Sequence, residues 1–99
     1  MTDFLAFGAS TRKTVAAAGT AEPLSTTSTA CRRIDICAEM NNTGVICVGD
    51  NGVVASLATR CGIPLNAGDF HSIDTFDLKD VYLDTTVNGD GVTYTYWKG

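Results

Sequence analysis

The clearest pattern in the chain is Arg33-Ile-Asp-Ile-Cys-Ala-Glu-Met40, an alternation of period two that places Ile34, Ile36, Ala38 and Met40 on one face of a strand and Arg33, Asp35 and Glu39 on the other. The apolar face is expected to be core. The last segment behaves alike, with Val92, Tyr94 and Tyr96 on one face and Thr93, Thr95 and Trp97 on the other. Between these runs, Thr, Val, Ile and Tyr recur in short stretches cut by Gly, Asn, Asp and Pro, the composition of strands and turns. The expected strands are Arg12–Ala18, Arg33–Met40, Gly44–Gly49, Val53–Leu57, Phe70–Thr75, Asp80–Thr85 and Val92–Lys98, with Ala21–Thr27 as an eighth. The only helix candidate, Val54–Arg60, is too short to be stable alone. This pattern predicts an all-β fold, a compact antiparallel β-sandwich or jelly-roll-like barrel of about seven to eight short strands with little or no helix.

Turn chemistry separates the runs. Asn41-Asn42-Thr43-Gly44, Gly49-Asp50-Asn51-Gly52 and Asn88-Gly89-Asp90-Gly91 carry residues that tolerate positive φ and predict three hairpin-like reversals. Pro23 cannot donate a ladder hydrogen bond and suits a strand end or a sheet edge. Residues 1–10 show no clear period and read as an apolar arm, with Phe4, Leu5 and Phe7 ahead of Gly8-Ala9-Ser10, leaving 11–99 as a single β domain. The alternative for the arm is a first strand tucked onto that same domain.

At 99 residues the chain has room for one domain. Seven Lys and Arg stand against eleven Asp and Glu, so no basic field exists to displace counterions from a phosphate backbone, and nucleic acid is not expected as a partner. Only 18% of residues are charged while 44% are hydrophobic, which describes a folded chain with a rather neutral surface of the kind that meets another protein. The apolar stretch near Met1 follows an acid rather than a lysine-rich region and does not read as a secretory signal. No window approaches the ~20 apolar residues of a membrane helix, so a soluble chain without a membrane partner is expected.

Candidate chemistry is sparse. Cys31, Cys37, Cys47 and Cys61 include no C-x-x-C pair, and His71 is the sole imidazole, so the spacing of a zinc site is missing and free thiols are expected. Any nucleophile would depend on His71, for instance with Cys61 and Asp69, yet no nucleophile elbow or papain-like signature surrounds it. His71 is therefore assigned to an ordinary strand face. Asp74, Asp77, Asp80 and Asp84 recur at close intervals, but Phe76 and Leu78 occupy positions where an EF-hand needs oxygens, and the central glycine is absent. They read as turn residues at Asp77 and Asp80 and as a solvated strand position at Asp84. Gly49-Asp-Asn-Gly52 lacks the lysine and following helix of a phosphate loop. No catalytic residue, metal ligand or cofactor is assigned. The candidate protein contacts are Phe4, Leu5 and Phe7 of the arm and Trp97, an indole that is either packed by the arm or offered to a neighbour.

Four segments carry a resemblance. Thr43-Gly-Val-Ile-Cys-Val-Gly49, Gly62-Ile-Pro-Leu-Asn-Ala-Gly-Asp69, Leu78-Lys-Asp-Val-Tyr-Leu-Asp84 and Val87-Asn-Gly-Asp-Gly-Val-Thr-Tyr-Thr-Tyr96 resemble, in that order, the strands and turns of small tailed-bacteriophage virion proteins. The likeness covers roughly residues 20–97 and is a pattern of turns and strands, without a catalytic signature. It implies a non-enzymatic capsid decoration or cement protein, made in the host cytoplasm and placed on the capsid exterior. Such a protein is expected to be a homo-oligomer, a dimer or trimer, that contacts the major capsid protein or another virion protein and bridges shell subunits. The alternative it leaves is a tail, head-fibre or adhesin-type module whose loop Asn, Asp and Trp side chains bind a host glycan or receptor.

Overall fold

The computed structural model describes residues 6–98, with Phe7 described by its backbone alone. Eight strands lie in this span: β1 (Ala6–Thr14), β2 (Glu22–Pro23), β3 (Arg33–Ala38), β4 (Ile46–Gly49), β5 (Ile63–Leu65), β6 (Phe70–Asp74), β7 (Tyr82–Thr85) and β8 (Gly91–Lys98). They form two four-stranded antiparallel sheets, ordered β1-β8-β3-β6 and β2-β7-β4-β5. Among the described residues, helix is confined to two 3₁₀ turns, Leu57–Thr59 and Leu78–Asp80. The all-β sandwich expected from the sequence is thus present.

The winding follows from the pairing. β1 pairs with β8, β2 with β7, β3 with β6 and β4 with β5, as if one long hairpin of four pairs had been rolled so that successive pairs fall in alternate sheets. That is a jelly roll. Its connections overturn two of the three expected hairpins: only the reversal at Gly49–Gly52 opens a connection between consecutive strands paired within one sheet, β4 and β5. The turns at Asn41–Gly44 and Asn88–Gly91 are arches from one sheet to the other. They are lashed together where Asn42 and Gly91 exchange two hydrogen bonds of 2.9 Å and the Asp90 carboxylate accepts the amides of Thr43 and Gly44. Asp90, although polar, is buried.

Core formation obeys the alternation. Ile34, Ile36 and Ala38 of β3, Val92 and Tyr94 of β8, Ile46 and Val48 of β4 and Leu83 of β7 close the space between the sheets. Met40 departs from the expectation and is 82% exposed. The chain has already left β3 there, turning at 39–42 with the Asn42 amide bonded to the Glu39 carbonyl, so the phase of the strand no longer applies.

Strand boundaries shift elsewhere. Val53–Leu57 is not a strand; Val54 makes only an isolated bridge with Cys61. The helix candidate Val54–Arg60 reduces to the single 3₁₀ turn, and Ala21–Thr27 to the two residues of β2. Ile63–Leu65, which the sequence places in a loop, pairs with β4 as β5. Both outer strands of the second sheet carry a proline, Pro23 in β2 and Pro64 in β5, which caps the sheet against edge-to-edge pairing. β1 begins at Ala6, so the described part of the apolar arm is a strand paired with β8, with a register shift between Phe7 and Ala9.

Candidate functional site

The two sheets treat their outer faces differently. On the second sheet, Cys47 and Asp84 lie opposite each other on β4 and β7 and point away from the core, yet Cys47 is fully buried and Asp84 is 1% exposed. Two loops roof them. The segment after β4 supplies Val53 and Ala55, which pack with Cys47 in a second small cluster, and Gly62, at φ 119°, brings the chain back close to it. Asp84 joins this roof to the loop after β1: its two carboxylate oxygens accept the amides of Gly19 and Ala55, each at 2.9 Å. Glu22 holds the same β1–β2 loop through the amides of Ala16 and Ala17 and the Lys13 ammonium. The solvated position expected for Asp84 is therefore corrected, because a strand's outward face is wet only if no loop covers it.

The first sheet is bare on its outer side, and its side chains stand in rows across the four strands. One row is Arg12, Thr93, Cys37 and Phe70; the next is Ser10, Thr95, Asp35 and Ser72; a third contains Trp97, Arg33 and Asp74. In the first row the guanidinium of β1 and the phenyl ring of β6 rise on either side of small residues. A shallow groove of about 510 Å³ runs there, with Cys37, Thr93 and Thr95 on its floor. Trp97 and Arg33 stand at the head of it, the guanidinium 5.3 Å from the indole centroid.

Most polar groups on this face are already matched to one another, Arg33 Nε and Glu39 Oε1 being the buried atoms without a hydrogen bond among the described residues. Ser10 and Thr95 share a hydrogen bond of 2.8 Å, and Arg12 pairs with Glu39 at 2.6 Å. Asp35 accepts from the Ser72 hydroxyl at 2.6 Å and from the Trp97 indole N–H at 2.9 Å, with the Arg33 Nε 3.4 Å away. The Ser72 bond, aided by Trp97 and Arg33 against the opposing effect of burial, holds the Asp35 carboxyl below its usual range. Phe70 is 65% exposed on the edge strand β6, at one side of this face, and Met40 and Phe76 are largely exposed at its two ends.

Of the candidate contacts read from the sequence, Phe4 and Leu5 lie outside the described residues, and Phe7 is placed through its backbone, opposite Trp97. Trp97 is half-buried and anchored in its own sheet, packed by Arg33 rather than presented as a lone indole. The residues the sequence reading passed over are Phe70, Met40 and Phe76. For Phe70 the signal was present: in Phe-His-Ser-Ile-Asp, fixing Ile73 as inward turns Phe70, Ser72 and Asp74 outward.

The titratable candidates resolve into structure. His71 lies on β6 opposite Ile36, half-buried on a strand face. Asp77 caps the 3₁₀ turn: it accepts the Ser28 hydroxyl and the amides of Thr29 and Lys79, and these bonds lower its carboxyl to about 2. Asp50 and Asp69 close turns by accepting the amides of Gly52 and Asn66. Cys31 and Cys47 are buried, and burial raises both thiols; Cys37 is half-buried and Cys61 exposed. Among the described residues no group of three His, Cys, Asp or Glu side chains converges on a metal-sized space, and no helix is long and apolar enough to cross a membrane.

No protein-family model, curated protein or solved structure matches this chain.

Proposed function

We propose that this chain is a non-enzymatic structural protein of a bacteriophage virion, a capsid decoration protein that docks on the outer shell and stabilises it by bridging major capsid subunits. The observation that carries the reading is the contrast between the two outer faces: one is roofed by the chain's own loops, the other is left open with most of its polar groups pre-paired and Phe70, Met40 and Phe76 exposed, the mark of a chain that assembles with other protein copies as a repeating shell component does. Two further features support it. Jelly-roll winding builds viral shell domains, and the carboxylates of Asp50, Asp69, Asp77, Asp84 and Asp90 are each bonded to backbone amides, which makes them turn and loop ties rather than groups aimed at a substrate. Cementing needs little area at each contact if the protein is a homo-oligomer, a dimer or trimer, because several identical contacts act together at high effective concentration.

The test is reconstitution. Purified chain added to shells prepared without it should co-sediment at a fixed stoichiometry to the major capsid protein and raise the shell's disruption temperature. Absence of co-sedimentation contradicts the reading. The same winding also builds lectins, which keeps a tail, head-fibre or adhesin-type module as the second reading. Its mark would be glycan binding by the isolated chain that is lost in Trp97→Ala.

A further inference from the structure

We propose that the bare outer face of the first sheet is the interface between two copies of this chain, packed face to face about a twofold axis running parallel to the strands. The oligomeric part of the proposed function is thereby given a surface and a symmetry. Three observations select a second copy as the occupant.

The first is charge. Three arginines on and beside this face, Arg12, Arg32 and Arg33, balance three carboxylates, Asp35, Glu39 and Asp74, so the face is neutral while the remaining residues, eight acids against four bases, carry the whole net charge of −4. A second copy can therefore approach through this surface with the acidic turns held away from each other. Elsewhere on the chain, like charge opposes self-association.

The second is the order of the strands. The row across the sheet is Arg12 on β1, Thr93 on β8, Cys37 on β3 and Phe70 on β6, with the two large side chains at its ends. A twofold axis parallel to the strands keeps each row at its own level and reverses its direction, so β1 of one copy lies over β6 of the other. Arg12 then covers Phe70 of the second copy, and Phe70 covers Arg12, giving two cation–π contacts from one residue pair. Arg12 is free to do this with the flat face of its guanidinium, since its bond to Glu39 is made through the edge at Nε. The central residues, Thr93, Thr95 and Cys37, form the groove of about 510 Å³ that receives the facing side chains. An axis across the strands would instead stack β1 on β1 and lose the pairing.

The third is area. Four strands ~4.8 Å apart and about seven residues long at ~3.3 Å per residue present a face of ~19 by ~23 Å in projection. That is ~440 Å² in projection, about half the ~800 Å² per partner in a standard interface before the relief of Phe70, Met40, Arg12 and Arg33 is added, which suits a weak symmetric dimer. Aligned packing of two such sheets is a common arrangement.

Sedimentation velocity of the pure chain decides the matter. At concentrations up to ~100 µM, above the micromolar Kd of a weak interface of this size, the wild type should sediment at twice its mass of 10.4 kDa. Phe70→Glu and Arg12→Glu should each sediment as monomers with an unchanged β circular-dichroism spectrum, and the exchange Arg12→Phe with Phe70→Arg should restore the dimer. Leu57→Glu, an equally exposed apolar position on the 3₁₀ turn over the second sheet, should leave the dimer intact. A monomeric or trimeric wild type, or a dimer that survives both single variants, overturns the proposal. The pure chain's mass answers this question alone; the virion setting stands or falls separately on shell binding.

Discussion

Replacing Asp84 by alanine removes the tie between the two loops that roof the second sheet. The carboxylate is 1% exposed and accepts the Gly19 and Ala55 amides at 2.9 Å each, so truncation deletes two charge-assisted hydrogen bonds and leaves the buried Ala55 donor without an acceptor. At ~1.5–3 kcal/mol for each hydrogen bond to a charged group, Asp84→Ala should lose about 3–6 kcal/mol. Against a total of about 5–15 kcal/mol for a domain of this kind, that is a large share. Asp84→Asn keeps one acceptor and turns an amide NH₂ toward the other backbone N–H, so its loss should be about half as great. Urea unfolding followed by the fluorescence of Trp97, the sole tryptophan, gives both values. Native-state hydrogen exchange adds the local test, because the Gly19 and Ala55 amides should lose protection out of proportion to the rest of the chain. An Asp84→Ala variant within ~0.5 kcal/mol of wild type, the range of an ordinary surface change, would refute the assignment of Asp84 as a buried tie.

Three other outcomes follow from the same structure. The carboxyls of Asp77, at about 2, Asp35 and Glu22 are all held below their usual range, Asp77 by Ser28 and two amides, Asp35 chiefly by Ser72, and Glu22 by Lys13 and the Ala16 and Ala17 amides against the opposing effect of burial. A depressed folded-state pKa stabilises above the unfolded value, so the urea midpoint should hold down to about pH 5 and fall as pH drops from ~4 toward ~2. Asp77→Asn should flatten that fall, and a midpoint that rises on acidification would contradict it. Ile36→Ala, at a fully buried position, should lose about 2–5 kcal/mol, while Met40→Ala should stay within ~0.5 kcal/mol; equal losses in urea melts would mean the strand phase is wrong. Under a thiol reagent Cys61 should react first and Cys31 and Cys47 only on unfolding, with mass spectrometry of the labelled peptides showing the order.

What the sequence made legible was the phase of each strand. Ile34, Ile36 and Ala38 face inward as their alternation requires, Val92 and Tyr94 do the same on β8, and Pro23 sits on an edge strand as its missing N–H demands. Where the chain goes between strands was not legible. Asn41–Gly44 and Asn88–Gly91 have the composition of hairpin turns but arch between sheets, since a turn residue reports a change of direction and nothing about the sheet in which the next strand lands. Ile63-Pro64-Leu65 was hidden by its proline, which an edge strand tolerates. Asp84 shows the same limit: alternation from Leu83 correctly turns it outward, while the loops that bury it come from residues around 19 and 55, too far along the chain for any local pattern. The candidate face was half legible. Its alternating polar residues were read from β3 and β8, whereas the place of Phe70 at the β6 edge, in the row of Cys37, needed the register of β6 against β3.

The central claim, that this chain is a repeating component of a shell, is tested most directly by its copy number in purified virions, measured by quantitative mass spectrometry against the major capsid protein. The account predicts a ratio near one or a simple fraction of it. A handful of copies per particle, or none, would contradict it.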